Sequence, residues 1–129
     1  MKVVQLEKAM TSPVIESLKP PKDKLCITTQ KGHFIIPKKE ISHLVADGNY
    51  TAIYYKNQKL LCSKTIQSVF DRINLLSFFR THKSFVINSD KVTFVDPSFS
   101  YAVTINDYKI PVAKSKKQDF KHFINSKFD

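Results

Sequence analysis

A mostly β domain with short helices, ending in a C-terminal helix, is the fold class this sequence predicts. Two observations carry that expectation. Ten Phe and five Tyr stand against only two Gly in 129 residues, a composition that suits pleated strands. Short apolar runs separated by turn residues fill most of the chain, and only two segments change to a helical period.

Length and hydrophobic content set the frame. At 129 residues and 42% hydrophobic, the chain has material for one core and can bury roughly two thirds of its unfolded surface. Residues 1–10 carry Val3, Val4, Leu6 and Met10 as a loose helical face. "TSPVIESLKPPKDK" then reads as a linker, with Pro20 and Pro21 forcing an extended path. The expected organisation is an N-terminal tail and linker over residues 1–22, followed by a domain over residues 23–129.

Within that domain the elements follow in order. "LCITT" and "HFIIP" flank "QKG" as a hairpin, and "PKKE" makes one helical turn opened by Pro37. "ISHLVA" runs into a turn at Asp47-Gly48, where glycine tolerates positive φ. "NYTAIYY" and "KLLCS" are strands around a turn at Asn57-Gln58. In "TIQSVFDRI", Ile66, Val69, Phe70 and Ile73 form one apolar helical stripe, with Gln67, Asp71 and Arg72 outside it. "FFRTHKSFVI" alternates like a strand, and "KVTFVD", "YAVTI" and "KIPVA" follow as further strands. The last helix, "SKKQDFKHFINSKF", presents Phe120, Phe123 and Ile124 on one face. Ser115 with Gln118 forms a capping-box pattern at its start.

Charge narrows the function. The net charge is +10 at pH 7, from 21 basic and 11 acidic residues, and a surface of this sign attracts polyanions, nucleic acid first. Only Arg72 and Arg80 are arginines, so most of the positive charge is lysine, a mobile point charge rather than a bidentate fork. No stretch reaches the roughly 18 apolar residues of a membrane span, and the N-terminus is too polar for a signal peptide. A cytoplasmic protein is expected. Cys26 and Cys62 then read as reduced, buried packing residues.

Enzyme chemistry finds little support. The four histidines lack ligand spacing, no cysteine pair has a zinc-site gap, and no glycine-rich loop cradles a phosphate. Asp47, Asp90, Asp96 and Asp107 sit beside turn residues, the ordinary place for backbone-capping carboxylates. Neither catalysis, a cofactor nor a metal is expected.

A binding surface is better supported. Donors and small polar residues gather at Asp47-Gly48-Asn49-Tyr50, at Arg80-Thr81-His82-Lys83-Ser84, and at Lys114-Ser115-Lys116-Lys117. Such groups grip phosphates and reach base edges. Each cluster alone also reads as a turn, a strand end or a solvated helix start.

The stretch "FFRTHKSFVINSDKV" resembles the signature of the LytTR DNA-binding domain through Phe79, Arg80, His82, Ser84, Phe85, Val86, Ile87 and Asn88. Lys83 departs from it, standing where arginine is common. "EISHLVADGNYTAIYY" is similar to the family's strand, turn and strand, and "KIPVAKSKKQDFKHF" to its closing strand and helix, with Ala113-Lys114 in place of the usual Ser-Arg. The likeness covers about residues 24–126. It implies an elongated fold of several small antiparallel sheets and sequence-specific binding of double-stranded DNA, in a transcription regulator of the LytR/AlgR response-regulator type. Loops would enter successive major grooves, on tandem repeats bound by a pair of domains. The N-terminal tail would be the end of a receiver domain, itself answering to a cognate histidine kinase.

By the same resemblance, bases are read at Asn49 or Tyr50, at Lys83 and at Lys114, with Phe79, Phe85 and Ile87 anchoring the strand. Arg80, His82, Ser84, Ser115, Lys116 and Lys117 complete the expected DNA-binding set. His82 and Asn88 also read as residues that hold the loop by hydrogen bonds. Two other functions stay open. One is a single-stranded nucleic-acid module, whose stacking aromatics are mostly committed here to alternating core positions. The other is a protein-interaction domain that kept the fold, which the two lysine departures permit.

Overall fold

The computed structural model describes residues 23–128; the expected tail and linker of residues 1–22 lie outside the described residues, and so does the boundary drawn for them. Strands β1 (Lys24–Thr29) and β2 (Gly32–Pro37) form the first hairpin. A 3₁₀ turn over Lys38–Glu40 leads into β3 (Ile41–Asp47), β4 (Tyr50–Tyr55) and β5 (Gln58–Cys62). Helix α1 spans Ile66–Ile73, and β6 (Phe78–His82) and β7 (Phe85–Asn88) follow as a second hairpin. After a 3₁₀ turn at Ser89–Lys91 come β8 (Val92–Val95), β9 (Tyr101–Thr104) and β10 (Lys109–Pro111). A 3₁₀ turn at Lys114–Lys116 then opens helix α2 (Lys117–Phe128).

Three antiparallel sheets result: β1-β2, β10-β9-β8, and a central sheet of order β5-β4-β3-β7-β6. Side chains alternate across a strand, and the central sheet uses both faces. Leu44, Ile53, Leu60 and Val86 join the first hairpin's Leu25, Ile27 and Ile36, and α1's Ile66, Val69 and Ile73, in one core. Ile87 enters a second core with Ala102, Ile110, Val112 and Phe120, against which Phe79, Phe85 and Phe123 pack. Phe79, Phe85 and Ile87, the anchors the resemblance implies, are therefore packed in or against this second core.

Local physics moved several boundaries. The stretch that alternates like one strand breaks at Lys83-Ser84 into the β6–β7 hairpin. The Asp47-Gly48 turn sits one residue later, at Gly48-Asn49: Asp47 still pairs with Tyr50, and Gly48 supplies φ 59°. The Asn57-Gln58 turn sits one residue earlier, since Gln58 already pairs with Tyr55 and Lys56 takes φ 53°. Lysine is a poor residue for that conformation, so the turn signal at Asn57 reads one residue late. Cys62 is buried but Cys26 is only half-buried.

Ser115 does not cap the final helix. Lys116 N–H already donates to the Ala113 carbonyl at 2.8 Å, which places Ser115 inside a 3₁₀ turn whose cap residue, Ala113, has no capping side chain. By contrast Thr65 caps α1, its hydroxyl accepting from Ser68 N–H at 3.1 Å. Thr65→Ala should therefore cost about 1 kcal/mol, whereas Ser115→Ala should stay within about 0.5 kcal/mol of the parent, both read by chemical denaturation.

His43 is buried on β3, its ring stacked on Tyr54 at 4.3 Å and its Nδ1 hydrogen-bonded with Ser42 Oγ at 2.8 Å. Burial pushes its pKa down from 6.5 to about 4. The unfolded chain thus binds more protons between those values, and the stability gained from a neutral His43 is lost as pH falls through that window. Acidification from pH 7 to pH 5 should remove about 2 kcal/mol. Denaturant midpoints of the parent and of His43→Phe, followed against pH, should diverge over this range.

Candidate nucleic-acid interface

Topology gathers the three clusters at one end of the central sheet. Val45 of β3 pairs with Phe85 of β7, and Ala46 N–H donates to the Ser84 carbonyl at 2.9 Å. The Gly48-Asn49 turn therefore leaves β3 beside the Lys83-Ser84 turn. At the same end, Thr51 Oγ1 donates to the Lys64 carbonyl at 2.7 Å, directing the chain after β5 into the start of α1.

The third cluster arrives through a bulge. Arg80 pairs with Val86 and His82 with Phe85, leaving Thr81 as the extra residue on β6. A bulged residue is free of the ladder, and the Thr81 carbonyl accepts from Ala113 N–H at 2.7 Å. The first turn of the final helix is so attached to the edge of the β6–β7 hairpin.

Between these pieces lies a cleft of about 570 Å³ lined by Gln67, Phe70, Arg80, His82, Lys83, Ala113, Ser115 and Lys116. Its floor is partly apolar, its charged lining is wholly basic, and no carboxylate lines it among the described residues. Such a lining favours an anionic occupant. Of the expected set, Arg80, His82, Lys83, Ser115 and Lys116 line this cleft. Ser84 and Lys114 adjoin the lining residues in the chain; Lys114 is exposed and Ser84 half-buried. Lys117 is half-buried on α2, and Asn49 and Tyr50 are exposed on the neighbouring turn, outside the cleft lining.

Hydrogen bonds separate the held residues from the free ones. His82 Nδ1 accepts from Ser84 N–H at 3.1 Å, and its ring meets Phe85 edge-on at 5.6 Å. Asn88 is fully buried; its Nδ2 donates to the Ile41 carbonyl at 2.7 Å and its Oδ1 accepts from Asp90 N–H at 3.0 Å. His82 holds the loop, as one of its two readings had it, whereas Asn88 ties the far end of β7 to β3 and to the 3₁₀ turn that follows. Arg80 donates from Nη1 to Gln67 Oε1 and from Nη2 to the Lys83 carbonyl at 2.6 Å. Lys83, Lys114 and Lys116 are exposed.

Sequence reasoning missed Gln67 and Phe70. Phe70 was assigned to the apolar stripe of α1 and Gln67 to its solvated side, and nothing local to either residue signals that their helix faces the hairpin turn.

Residues 31–125 match the LytTr DNA-binding domain family. The transcriptional regulatory protein YpdB of Escherichia coli O6:H1 is 24% identical over 95 residues, covering 70% of this chain and 39% of that protein. The sensory transduction protein LytT of Enterococcus faecalis is 23% identical over 91 residues, covering 68% of this chain and 38% of that one. The chain thus spans well under half the length of these relatives. A solved LytTr DNA-binding domain from Bacillus cereus superposes with a TM-score of 0.70 at 20% identity, covering 81% of this chain and 98% of that domain. With the family matched over most of its length and the fold shared, this chain belongs to the LytTr DNA-binding domain family.

Proposed function

We propose that this domain binds double-stranded DNA in a sequence-specific way, as the output part of a transcription regulator of the LytR/AlgR type. One observation carries the reading: a carboxylate-free cleft joins the Lys83 turn to the Lys114–Lys116 turn, beside the exposed Asn49-Tyr50 segment. Lys83, Lys114 and Asn49 or Tyr50 reach base edges from loops in successive major grooves. Lys116 and Lys117 neutralise phosphates, which sets affinity without carrying sequence information. A pair of domains on tandem repeats extends the footprint. The relatives' greater length leaves room for a receiver domain addressed by a histidine kinase.

The single-strand alternative gains nothing from the phenylalanines of the second core. Phe79 packs against Phe123 at 4.8 Å and against Phe120 at 5.6 Å, inside the second core, so these rings offer no stacking platform. A comparison of duplex with single-stranded oligonucleotides distinguishes the two.

With roughly four to six phosphates neutralised per domain, log K against log[salt] should fall with a slope of about −3.5 to −5.5. Salt titrations on a duplex selected from a random library measure this, and a flat response would reject the proposal. Lys83→Ala should leave the denaturation midpoint within about 0.5 kcal/mol of the parent. On the selected duplex it should cost roughly 1 to 3 kcal/mol and relax choice at one base position. Equal losses on selected and scrambled duplexes would instead make Lys83 a phosphate contact.

A further inference from the structure

We infer that Gln67 and Arg80 form a strut that positions the Lys83 turn, Arg80 acting on DNA through that turn rather than by touching it. This rests on the DNA-binding reading of the same surface, and it adds Gln67, a residue outside the family's signature stretch.

The geometry begins on the first turn of α1. Gln67 Nε2 donates to Asp71 Oδ1 at 2.8 Å, and Gln67 Oε1 accepts from Arg80 Nη1. A carboxylate only accepts and a guanidinium only donates, so the two partners together fix which way the amide faces. From its other arm Arg80 donates to the Lys83 carbonyl at 2.6 Å. The N–H of the same peptide unit, that of Ser84, donates to His82 Nδ1 at 3.1 Å. Both polar groups of the Lys83-Ser84 peptide are therefore bonded within the hairpin, and the Ser84 carbonyl accepts from Ala46 N–H at 2.9 Å. The Lys83-Ser84 peptide is thus held from β6, with α1 bracing Arg80 from behind, and the next peptide is held from β3.

Arginine is the residue this arrangement requires. Its planar fork reaches two acceptors in fixed relative directions, whereas a lysine ammonium concentrates its donors at one point. A turn held in this way presents Lys83 from a defined backbone. The gain belongs to discrimination between sequences, since phosphate attraction depends on charge and not on the angle of one loop.

The test compares Gln67→Leu, Gln67→Glu and Arg80→Lys in the full chain, on a duplex selected from a random library by the parent and on its scrambled counterpart. Gln67→Leu removes the acceptor, Gln67→Glu keeps one, and Arg80→Lys keeps the charge but not the fork. Gln67→Leu and Arg80→Lys should each weaken binding to the selected duplex by about fivefold. Binding to the scrambled duplex and the salt slope should hardly change, and Gln67→Glu should retain discrimination. In the DNA-free chain, Ser84 amide hydrogen exchange should rise severalfold in Gln67→Leu and in Arg80→Lys, but not in Gln67→Glu. Equal losses on both duplexes, or unchanged Ser84 exchange in Gln67→Leu, would overturn the strut. If the parent selects no duplex at all, the DNA-binding reading fails instead, and the exchange comparison still decides whether the strut exists.

Discussion

The structure depends on β7 being buried on both faces at once. Val86 lies in the core shared with α1 and the first hairpin, and Ile87, one residue on, lies in the core shared with Phe120 and the β8–β10 sheet. Either strand neighbour, β3 or β6, is bonded to it. A register slip of one residue would exchange the two faces and disrupt both cores, so the position of the hairpin turn is set by packing far from any ligand. Asn88 adds a polar lock at the other end of the strand through the Ile41 carbonyl.

That constraint explains how a basic surface can be built without unfolding pressure on the core. The apolar residues of the β6–β7 hairpin face one core or the other, while His82 and Arg80, both half-buried, place hydrogen bonds on the turn beside them. Within that hairpin Lys83 is the one exposed residue. Phenylalanines and cations crowd together because one hairpin serves both as a wall between two cores and as the support of a loop.

Much of this was legible beforehand, for identifiable reasons. Strand alternation, the α1 stripe and the Phe120 face follow from burial periodicity, which is local in sequence and so readable. The family's signature residues led to the sheet architecture and to the surface where Arg80, His82, Lys83, Ser115 and Lys116 meet. What failed depended on competition between neighbours. A capping pattern at Ser115 lost to a 3₁₀ turn begun at Ala113, whose carbonyl accepts from Lys116 N–H while its own N–H docks on the bulged Thr81 carbonyl. The turn at Lys56 has no glycine to announce it. Gln67 faces the hairpin only because α1 starts at the same end of the sheet, a tertiary fact that no window around residue 67 contains.

The distribution of arginine carries the last step. This chain has two, and each donates to a backbone carbonyl: Arg72 to that of Cys26 at 3.2 Å, Arg80 to that of Lys83 at 2.6 Å. Every other basic side chain at the proposed surface is lysine or histidine. Lysine attracts phosphate well but carries no planar fork, so it discriminates bases less sharply by itself than arginine does. On the proposed reading, a domain so composed would draw discrimination from where its lysines are held and from the shape of the duplex they approach. Spending one arginine on the turn beneath Lys83 is consistent with that division: rigidity is supplied from within the fold, and charge is presented outside it.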